Sequence, residues 1–205
     1  MSETQSQVSG PPGTVTAGML SIPLAQLLLI GGILRLTVPG QVLPQALAGA
    51  DLMERALAGE DIGTEHEAKR WIHQHAAGRV ELEGQRLIAA GLAVRHDQRG
   101  GPGFAIHQVN AMTVANAVVD ALRDDDWVAD PKMALLLAML SRTKLMGYVC
   151  VLLDLGGEQV TLVNRCESIA SGAEPSGLRI TPSVKTALDA TGFAVMDRDQ
   201  LRAGM

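Results

Sequence analysis

The sequence predicts a mainly α-helical fold, a single helical domain around a buried central hydrophobic helix, with one protruding β-hairpin. The first observation is that residues 133–140 are apolar on every side of a helix, which is typical of a helix buried in protein or in a membrane. The second is that aromatic residues make up only 2% of a chain that is 47% hydrophobic, so the core must consist of aliphatic side chains and methionine. The third is a glycine-rich connection between two short apolar runs, which indicates a hairpin.

The central helix has a clear start signal in the sequence. Pro131 suits the first helical turn, where its missing N–H is no loss, and Asp130 is a good N-cap whose charge suits the positive end of the helix. Arg142 and Lys144 interrupt the apolar run after about ten residues, whereas a membrane span needs about 20. We therefore predict a helix buried among amphipathic helices.

The chain before the central helix predicts a tail followed by helices. Residues 1–18 are rich in Ser, Gln, Gly, Pro and Thr, which is typical of a flexible tail, and we expect the folded domain over residues 19–205. Apolar residues then recur at helical spacing. The predicted elements are helices through residues 24–30, 43–57, 65–76 and 80–90, with a possible short strand at residues 33–38.

The predicted hairpin joins residues 92–96 to residues 104–107, and a helix over residues 109–123 follows it. Residues 148–163 are ambiguous, because they fit either a second hairpin or part of a helical pair. The last predicted element is an amphipathic helix over residues 180–191, with Thr181 as its cap and proline at its first position.

Charge and cysteine content limit the classes of function. The net charge of −5 gives no sign of a broad basic face for nucleic acid. Cys150 and Cys166 belong to no C-x-x-C pair, so we expect buried, reduced thiols in a cytosolic protein. No lysine or arginine precedes Arg35, so the basic start of a signal peptide is missing.

Motifs for catalysis or metal binding are not found in the sequence. His66 and Glu67 begin like a zinc-protease motif, but Arg70 stands where the second histidine is needed. His73 and His75 are two residues apart, so they face different sides of a helix and cannot share a metal. We therefore predict a protein that is not an enzyme and has no catalytic residues, no metal and no cofactor.

Four places in the sequence carry a recognisable pattern, and they are residues 20–29, 46–59, 86–92 and 127–138. The last is the most specific, and it contains Trp127, Asp130 and Pro131. With these four places, the chain over about residues 20–191 resembles the Golgi phosphoprotein 3 family, in which Trp127, Asp130 and Pro131 would form a structural family motif.

The resemblance implies a peripheral membrane protein, since eukaryotic members bind phosphatidylinositol 4-phosphate and act as coat adaptors that retain glycosyltransferases. It also implies that the hairpin is an oligomerisation element, and it favours a helix for residues 148–163. The arginine-, alanine- and glycine-rich composition indicates a divergent bacterial homologue.

The residues that form the lipid pocket in that family are not retained in this sequence. The family's pocket uses a tryptophan and three basic residues, and the corresponding positions here lie near Pro39, at Ala48, and near Ala77 and Val80. None of the four is retained, although Arg79 is one position away. Phosphate recognition needs charged donors in a fixed array, so the fold carries over better than phosphoinositide binding.

The first interpretation is a non-enzymatic peripheral-membrane or adaptor protein, located in the cytoplasm or at the cytosolic face of a membrane. Its candidate ligand is an anionic phospholipid, with Arg79 and Arg86 as weak contacts to the head group. Self-association, a protein partner or the membrane would be contacted by the hairpin residues Arg95, Arg99, Phe104 and Ile106.

Two alternatives remain open. A helix followed by a glycine-rich hairpin is also typical of a winged-helix nucleic-acid binder, but residues 65–99 hold six basic and five acidic side chains, so no nucleic acid is expected. The other alternative is a protein-interaction module with no lipid ligand.

Overall fold

The computed structural model describes residues 22–32, 42–95, 103–124 and 127–203, except for the side chains of residues 29, 31, 32 and 197–203. This part of the chain forms nine helices and one two-stranded hairpin, which confirms the mainly helical fold. The predicted tail at residues 1–18 and the possible strand at residues 33–38 lie outside the described residues.

The elements follow the predicted order, and the predicted helices agree with the observed ones to within a few residues except at α8 and α9. In chain order they are α1 (Leu24–Gly32), α2 (Val42–Leu57), α3 (Glu65–His75), α4 (Arg79–Ala89), β1 (Ala93–Arg95), β2 (Phe104–Ile106), α5 (Gln108–Arg123), α6 (Pro131–Arg142), α7 (Met146–Leu152), α8 (Gln159–Ser171) and α9 (Pro182–Ala203).

The helix α6 is the centre of the fold, as the sequence predicts. The carboxylate of Asp130 accepts a hydrogen bond of 2.6 Å from the backbone N–H of Met133, and Pro131 occupies the first helical turn. Every residue from 134 to 141 is buried. The surrounding layer consists of α1, α5, α7, α8 and α9, all of which contact α6.

No single helix among the described residues is long and apolar enough to cross a bilayer. The consecutive helices α6 and α7 meet the length and composition requirement only as a pair, and they are bent by 99° with respect to each other.

The ambiguous region after α6 is helical. The helix α7 ends at Leu152, and α8 begins at Gln159 after a turn closed by a 2.9 Å hydrogen bond from the N–H of Leu155 to the carbonyl oxygen of Cys150. The helical interpretation of residues 148–163 is therefore correct, and α8 continues beyond them to Ser171.

The last helix begins as predicted but ends later. The hydroxyl of Thr181 accepts a hydrogen bond of 3.2 Å from the N–H of Val184, as expected of its cap. The predicted end at residue 191 is wrong, because α9 continues through Gly192 to Ala203. A Cβ at Gly192 would lie 3.5 Å from the carbonyl oxygen of Arg142, which is an ordinary van der Waals distance, so α9 passes beside the end of α6 at this glycine and continues through it.

The hairpin packs on α4. Its strands pair antiparallel, with Ala93 opposite Ile106 and Arg95 opposite Phe104. The ring of Phe104 is only 3% exposed and lies against Gly84 of α4, where no side chain separates the ring from the helix backbone. The hairpin is therefore attached to the helical core at its base, and its tip lies outside the described residues.

Candidate functional site

The segment between α5 and α6 carries the most exposed aromatic side chain among the described residues. The side chain of Trp127 is 57% exposed, whereas Val128 beside it is 6% exposed. Residues in the connection between α8 and α9 hold the backbone of this segment in place. Val128 forms a parallel bridge with Ser176, and its carbonyl oxygen accepts a 2.8 Å hydrogen bond from the N–H of Gly177.

Close packing fixes this segment further. A Cβ at Gly177 would overlap the carbonyl oxygen of Ala129, so only glycine allows the two backbones to approach this closely. On the other side, the cap at Asp130 ties the segment to α6. Trp127 is therefore an exposed indole directly before a segment whose backbone is held at Val128 and at Asp130.

Arg165 of α8 holds the end of α5 beside this tryptophan. Its Nη1 donates to the carbonyl oxygen of Leu122 at 2.7 Å and also to that of Asp124. Its Nε and Nη2 donate to one carboxylate oxygen of Glu174, at 2.9 and 2.8 Å. The arginine thus satisfies carbonyl groups that the end of a helix leaves without intrahelical partners. The sequence gives no local signal for this role, because the partners lie about 40 residues earlier in the chain.

Two cavities lie on either side of Trp127, and the indole lines both. The first has a volume of about 640 Å³, and its walls are mainly apolar. The apolar walls come from α1, α5 and α6, through Leu27, Ala117, Ala121, Met133 and Leu136. We call Trp127 together with the walls of these two cavities the Trp127 surface.

Charged groups occur at the border of the first cavity. Its lining includes Asp124, Asp130 and Lys132. Burial lowers the pKa of Lys132, and the nearby carboxylates of Glu54 and Asp130 raise it by less. Glu54 also accepts a 2.7 Å hydrogen bond from the N–H of Leu24, so it links the start of α1 to this border.

The second cavity also has a volume of about 640 Å³, but it is bordered by ion pairs. Arg123 and Glu158 form two parallel hydrogen bonds of 2.9 and 2.7 Å. This pairing raises the pKa of Arg123 and lowers that of Glu158. Since Arg165 is also engaged, the cations here are already paired with carboxylates, and this cavity is a polar border and not a site for an anion.

The other tryptophan of the chain is engaged within the fold. The rings of Trp71 and His75 stack on α3 with centroids 4.0 Å apart. The guanidinium of Arg55 lies 5.4 Å from the centre of the Trp71 ring, which is within range of a cation–π interaction. Trp71 thus joins α2 to α3.

The two arginines expected to bind a lipid head group meet at a buried carboxylate. Arg86 donates from Nη1 to Oε1 of Glu83 at 2.7 Å, and Nη2 of Arg79 lies 3.7 Å from the same oxygen. Arg79 also pairs with Asp51 of α2. Glu83 is fully buried, and Gln26 of α1 donates to its other oxygen at 3.4 Å.

The structure therefore brings Arg79 and Arg86 together as part of an ion-pair network between α1, α2 and α4. The two arginines are balanced by the carboxylates of Asp51 and Glu83, so the network has no excess positive charge that would attract a phosphate. Arg79 has a side chain that is 17% exposed, while that of Arg86 is 51% exposed and keeps a face toward solvent. The spacing of three and four residues around Glu83 indicates this pairing in the sequence, but its depth of burial follows from the packing.

The hairpin residues proposed for partner contacts have different environments. Arg95 is exposed on β1, and Arg99 lies outside the described residues. Ile106 is partly buried against the core. The ring of Phe104 is in the core and not at the outer surface of the hairpin.

No metal site emerges from the described part of the chain, and neither of its cysteines reaches the surface. Within it, no group of three or more His, Cys, Asp or Glu side chains is placed to hold a metal ion. Both cysteines are free and buried, as expected. Burial raises the pKa of Cys166 to about 12, and its Sγ donates to the carbonyl oxygen of Leu137 at 2.9 Å. Burial raises the pKa of Cys150 as well.

Comparison with protein-family models, with curated proteins and with solved structures finds no match for this chain.

Proposed function

We propose that this protein is a non-enzymatic adaptor that binds a protein partner through the Trp127 surface. The observation that carries the proposal is the 57% exposure of Trp127 on a backbone fixed by the Val128–Ser176 bridge and the cap at Asp130. A large side chain on a fixed backbone loses little conformational entropy when it binds. Tryptophans beside pockets, with a polar border, are frequent hot spots of protein interfaces.

The size of the exposed indole supports an energetic role. Covering the 57% of Trp127 that is exposed would bury roughly 140 Å² and contribute about 3–4 kcal/mol. The ion pairs Arg123–Glu158 and Arg165–Glu174 around the second cavity then form the polar border of the interface. They stay paired with each other when the bound protein covers the apolar centre.

Photo-crosslinking tests this function directly. A photoreactive phenylalanine derivative replaces Trp127 in the full chain, and the matched control carries the same group at Val160, which is 72% exposed on α8. We expect a discrete crosslinked protein at position 127 and not at position 160. Excess wild-type chain should compete, and excess Trp127→Ala should not. Equal crosslinking at both positions, or none at position 127, would contradict the proposal.

Peripheral binding to an anionic phospholipid membrane is the second candidate function. It is favoured by two exposed arginines, Arg86 on α4 and Arg95 on β1, because these two elements pack together. The same two elements also expose the apolar side chains of Leu82 and Val94. Each such cation contributes about 1 kcal/mol near an anionic bilayer, so attachment would be weak and sensitive to salt.

Flotation with anionic vesicles at low salt separates this candidate from the first. Membrane binding predicts that the full chain floats with the vesicles and that the double variant Arg86→Gln, Arg95→Gln does not, while Trp127→Ala behaves as the wild type. A chain that stays at the bottom of the gradient at every salt concentration excludes the membrane function.

Self-association through the hairpin is a further prediction from the family resemblance. Deletion of residues 97–103 should lower the molar mass measured by light scattering and leave the helical content unchanged. An unchanged mass would argue against a role of the hairpin in assembly.

Nucleic-acid binding is not expected. The elements α3, α4 and the hairpin follow one another as in a winged helix, but Arg79 and Arg86 already pair with acidic side chains. A DNA affinity that falls steeply with salt would contradict this expectation.

A further inference from the structure

We propose that the protein partner of the Trp127 surface presents a basic segment, in which an apolar side chain enters the cavity between α1, α5 and α6 and an arginine or lysine lies over the Trp127 indole. This inference rests on the adaptor function proposed above, and it adds the chemistry of the segment that the surface binds. Three observations carry it: the apolar walls of the cavity, the excess of carboxylates at its border and the exposed indole between them.

The inner walls of the first cavity are suited to an aliphatic or aromatic side chain. Leu27, Met133 and Leu136 line it from α1 and α6, and Ala117 and Ala121 line it from α5. The two alanines lie one helical turn apart, so their small side chains leave space along α5. An apolar side chain of a partner that fills such a pocket beside an exposed tryptophan is a typical anchor of a protein interface.

Carboxylates outnumber cations at the border of this cavity. Asp124 and Asp130 line it together with Lys132, and the carboxylate of Glu54 lies near Lys132. Three acidic groups against one basic group leave an excess of two negative charges among the described residues of this border. Asp124 and Lys132 have interactions within the fold and Asp130 caps α6, but these contacts do not change the sum of the charges. The border therefore attracts a cation.

The second cavity does not offset this excess. The arginines that line it are each paired with a carboxylate, Arg123 with Glu158 and Arg165 with Glu174. These pairs sum to zero, so the Trp127 surface keeps the negative excess of the first cavity. The surface is therefore complementary to a basic segment, and it repels an acidic segment or an anionic bilayer.

The exposed indole is a second reason to expect a cation. Among aromatic rings, that of tryptophan attracts an arginine or lysine most strongly. The chain already makes this contact within its own fold, since the guanidinium of Arg55 lies 5.4 Å from the centre of the Trp71 ring. Because the Trp127 indole lines the same cavity as the apolar walls, the apolar anchor and the cation must lie within about four residues of each other in the partner.

Selection from a random peptide library displayed on phage tests the chemistry of the segment. The full chain is the bait, and a full chain with Trp127→Ala removes the peptides that bind elsewhere. We expect the remaining peptides to have a net positive charge and to carry an arginine or lysine within about four positions of a large apolar residue. Enrichment of acidic or uncharged peptides, or of no peptide that requires Trp127, would overturn the inference.

Titration of the most enriched peptide, followed by the emission of Trp127 in a Trp71→Phe chain, separates the two parts of the contact. Replacing the basic residue of the peptide by glutamine should weaken binding about fivefold, because an exposed charge pair or a cation–π contact contributes up to about that factor. Ala121→Phe should weaken binding at least about tenfold by filling the cavity. Its matched control Asn116→Phe, on the same helix outside the lining, should leave binding unchanged.

Charge variants on α5 locate the cation of the peptide. Asp124→Asn should weaken the basic peptide about threefold and leave the glutamine-substituted peptide unaffected. Asp120→Asn removes an exposed charge from the same helix outside the lining, so it should leave both peptides unchanged. Added salt should weaken the basic peptide alone. Far-UV circular dichroism checks that each variant is folded.

Two further results would overturn the inference, which are equal binding by the Ala121→Phe and Asn116→Phe chains and an equal effect of Asp124→Asn and Asp120→Asn. Crosslinking at position 127 distinguishes this failure from that of the adaptor function. A discrete crosslink at position 127 without basic peptides in the selection would overturn only the chemistry of the segment. Equal crosslinking at positions 127 and 160 would overturn the adaptor function and this inference with it.

Discussion

The contact between Gly84 and Phe104 predicts that Gly84→Ala destabilises the wild-type protein but stabilises a protein that lacks the Phe104 ring. In an ordinary helix interior, Gly→Ala stabilises by about 1 kcal/mol. Here a Cβ at Gly84 would lie 2.7 Å from Cζ of Phe104 and closer still to Cδ1 and Cε1. Overpacking of a core costs about 1–3 kcal/mol, and the depth of this overlap places it at the upper end. We therefore expect Gly84→Ala to destabilise the fold by about 2 kcal/mol.

The same substitution should stabilise the protein when the ring is absent. Phe104→Ala alone should cost about 3–5 kcal/mol, because the ring is 3% exposed. In the Phe104→Ala chain the added methyl group meets no ring, so Gly84→Ala should raise the free energy of unfolding by about 1 kcal/mol. Compared with the loss of about 2 kcal/mol in the wild type, this gives a coupling energy of roughly 3 kcal/mol between the two positions.

Urea unfolding followed by far-UV circular dichroism measures all four chains of this cycle. If Phe104→Ala leaves too little folded protein, Phe104→Leu replaces it with a smaller loss. An effect of Gly84→Ala that has the same sign and size in both backgrounds would refute the packing of the hairpin on α4.

Other predictions concern single positions. Glu83→Gln should lower the free energy of unfolding by about 2–3 kcal/mol, because it leaves the largely buried Arg79 and the half-exposed Arg86 without their shared carboxylate; an unchanged urea midpoint would contradict this. Asp130→Ala should cost about 1 kcal/mol as a lost cap, seen as a drop in Tm of about 2–4 °C. The backbone N–H and hydroxyl of Thr64 hold the pKa of Glu67 below its ordinary value of 4.5. This carboxylate therefore stabilises the fold above that value and loses its contribution as the pH falls through the lower pKa of the folded state, so Glu67→Gln should flatten the acid side of the stability profile. Cys166 should resist a thiol reagent until urea unfolds the chain, and rapid labelling of the native protein would show that the burial is wrong.

Local signals account for the elements that the sequence predicted well. The cap at Asp130, the proline after it and the all-round apolar run define α6 within a few residues of the chain, and each of them acts over one helical turn. The hairpin is likewise specified by two short runs and the glycine-rich connection between them.

Long-range packing explains where the predictions fail. The predicted end of the last helix at residue 191 is wrong, because α9 continues through Gly192 and there passes Arg142 of α6, which lies about 50 residues earlier in the chain. Arg79 was expected to bind a ligand, and the structure places it between Asp51 and Glu83 on two different helices. A spacing rule within one helix identifies only the second of these partners.

The candidate site was predictable only in part. Trp127, Asp130 and Pro131 stand out in the sequence, and the structure gives the latter two a role in starting α6. The bridge at Val128 comes from Ser176 in the α8–α9 connection, and the anchoring of Asp124 comes from Arg165 in α8. The sequence does not link either of these residues to the segment of Trp127.

The central claim is that Trp127 is exposed to solvent on a backbone that does not move independently of the fold. Time-resolved fluorescence anisotropy of a Trp71→Phe chain, together with acrylamide quenching, tests this claim most directly. We predict efficient quenching and an anisotropy that decays mainly with the tumbling of the whole protein. Quench-resistant emission would show a buried indole, and rapid local depolarisation would show a mobile one, so either result would contradict the account.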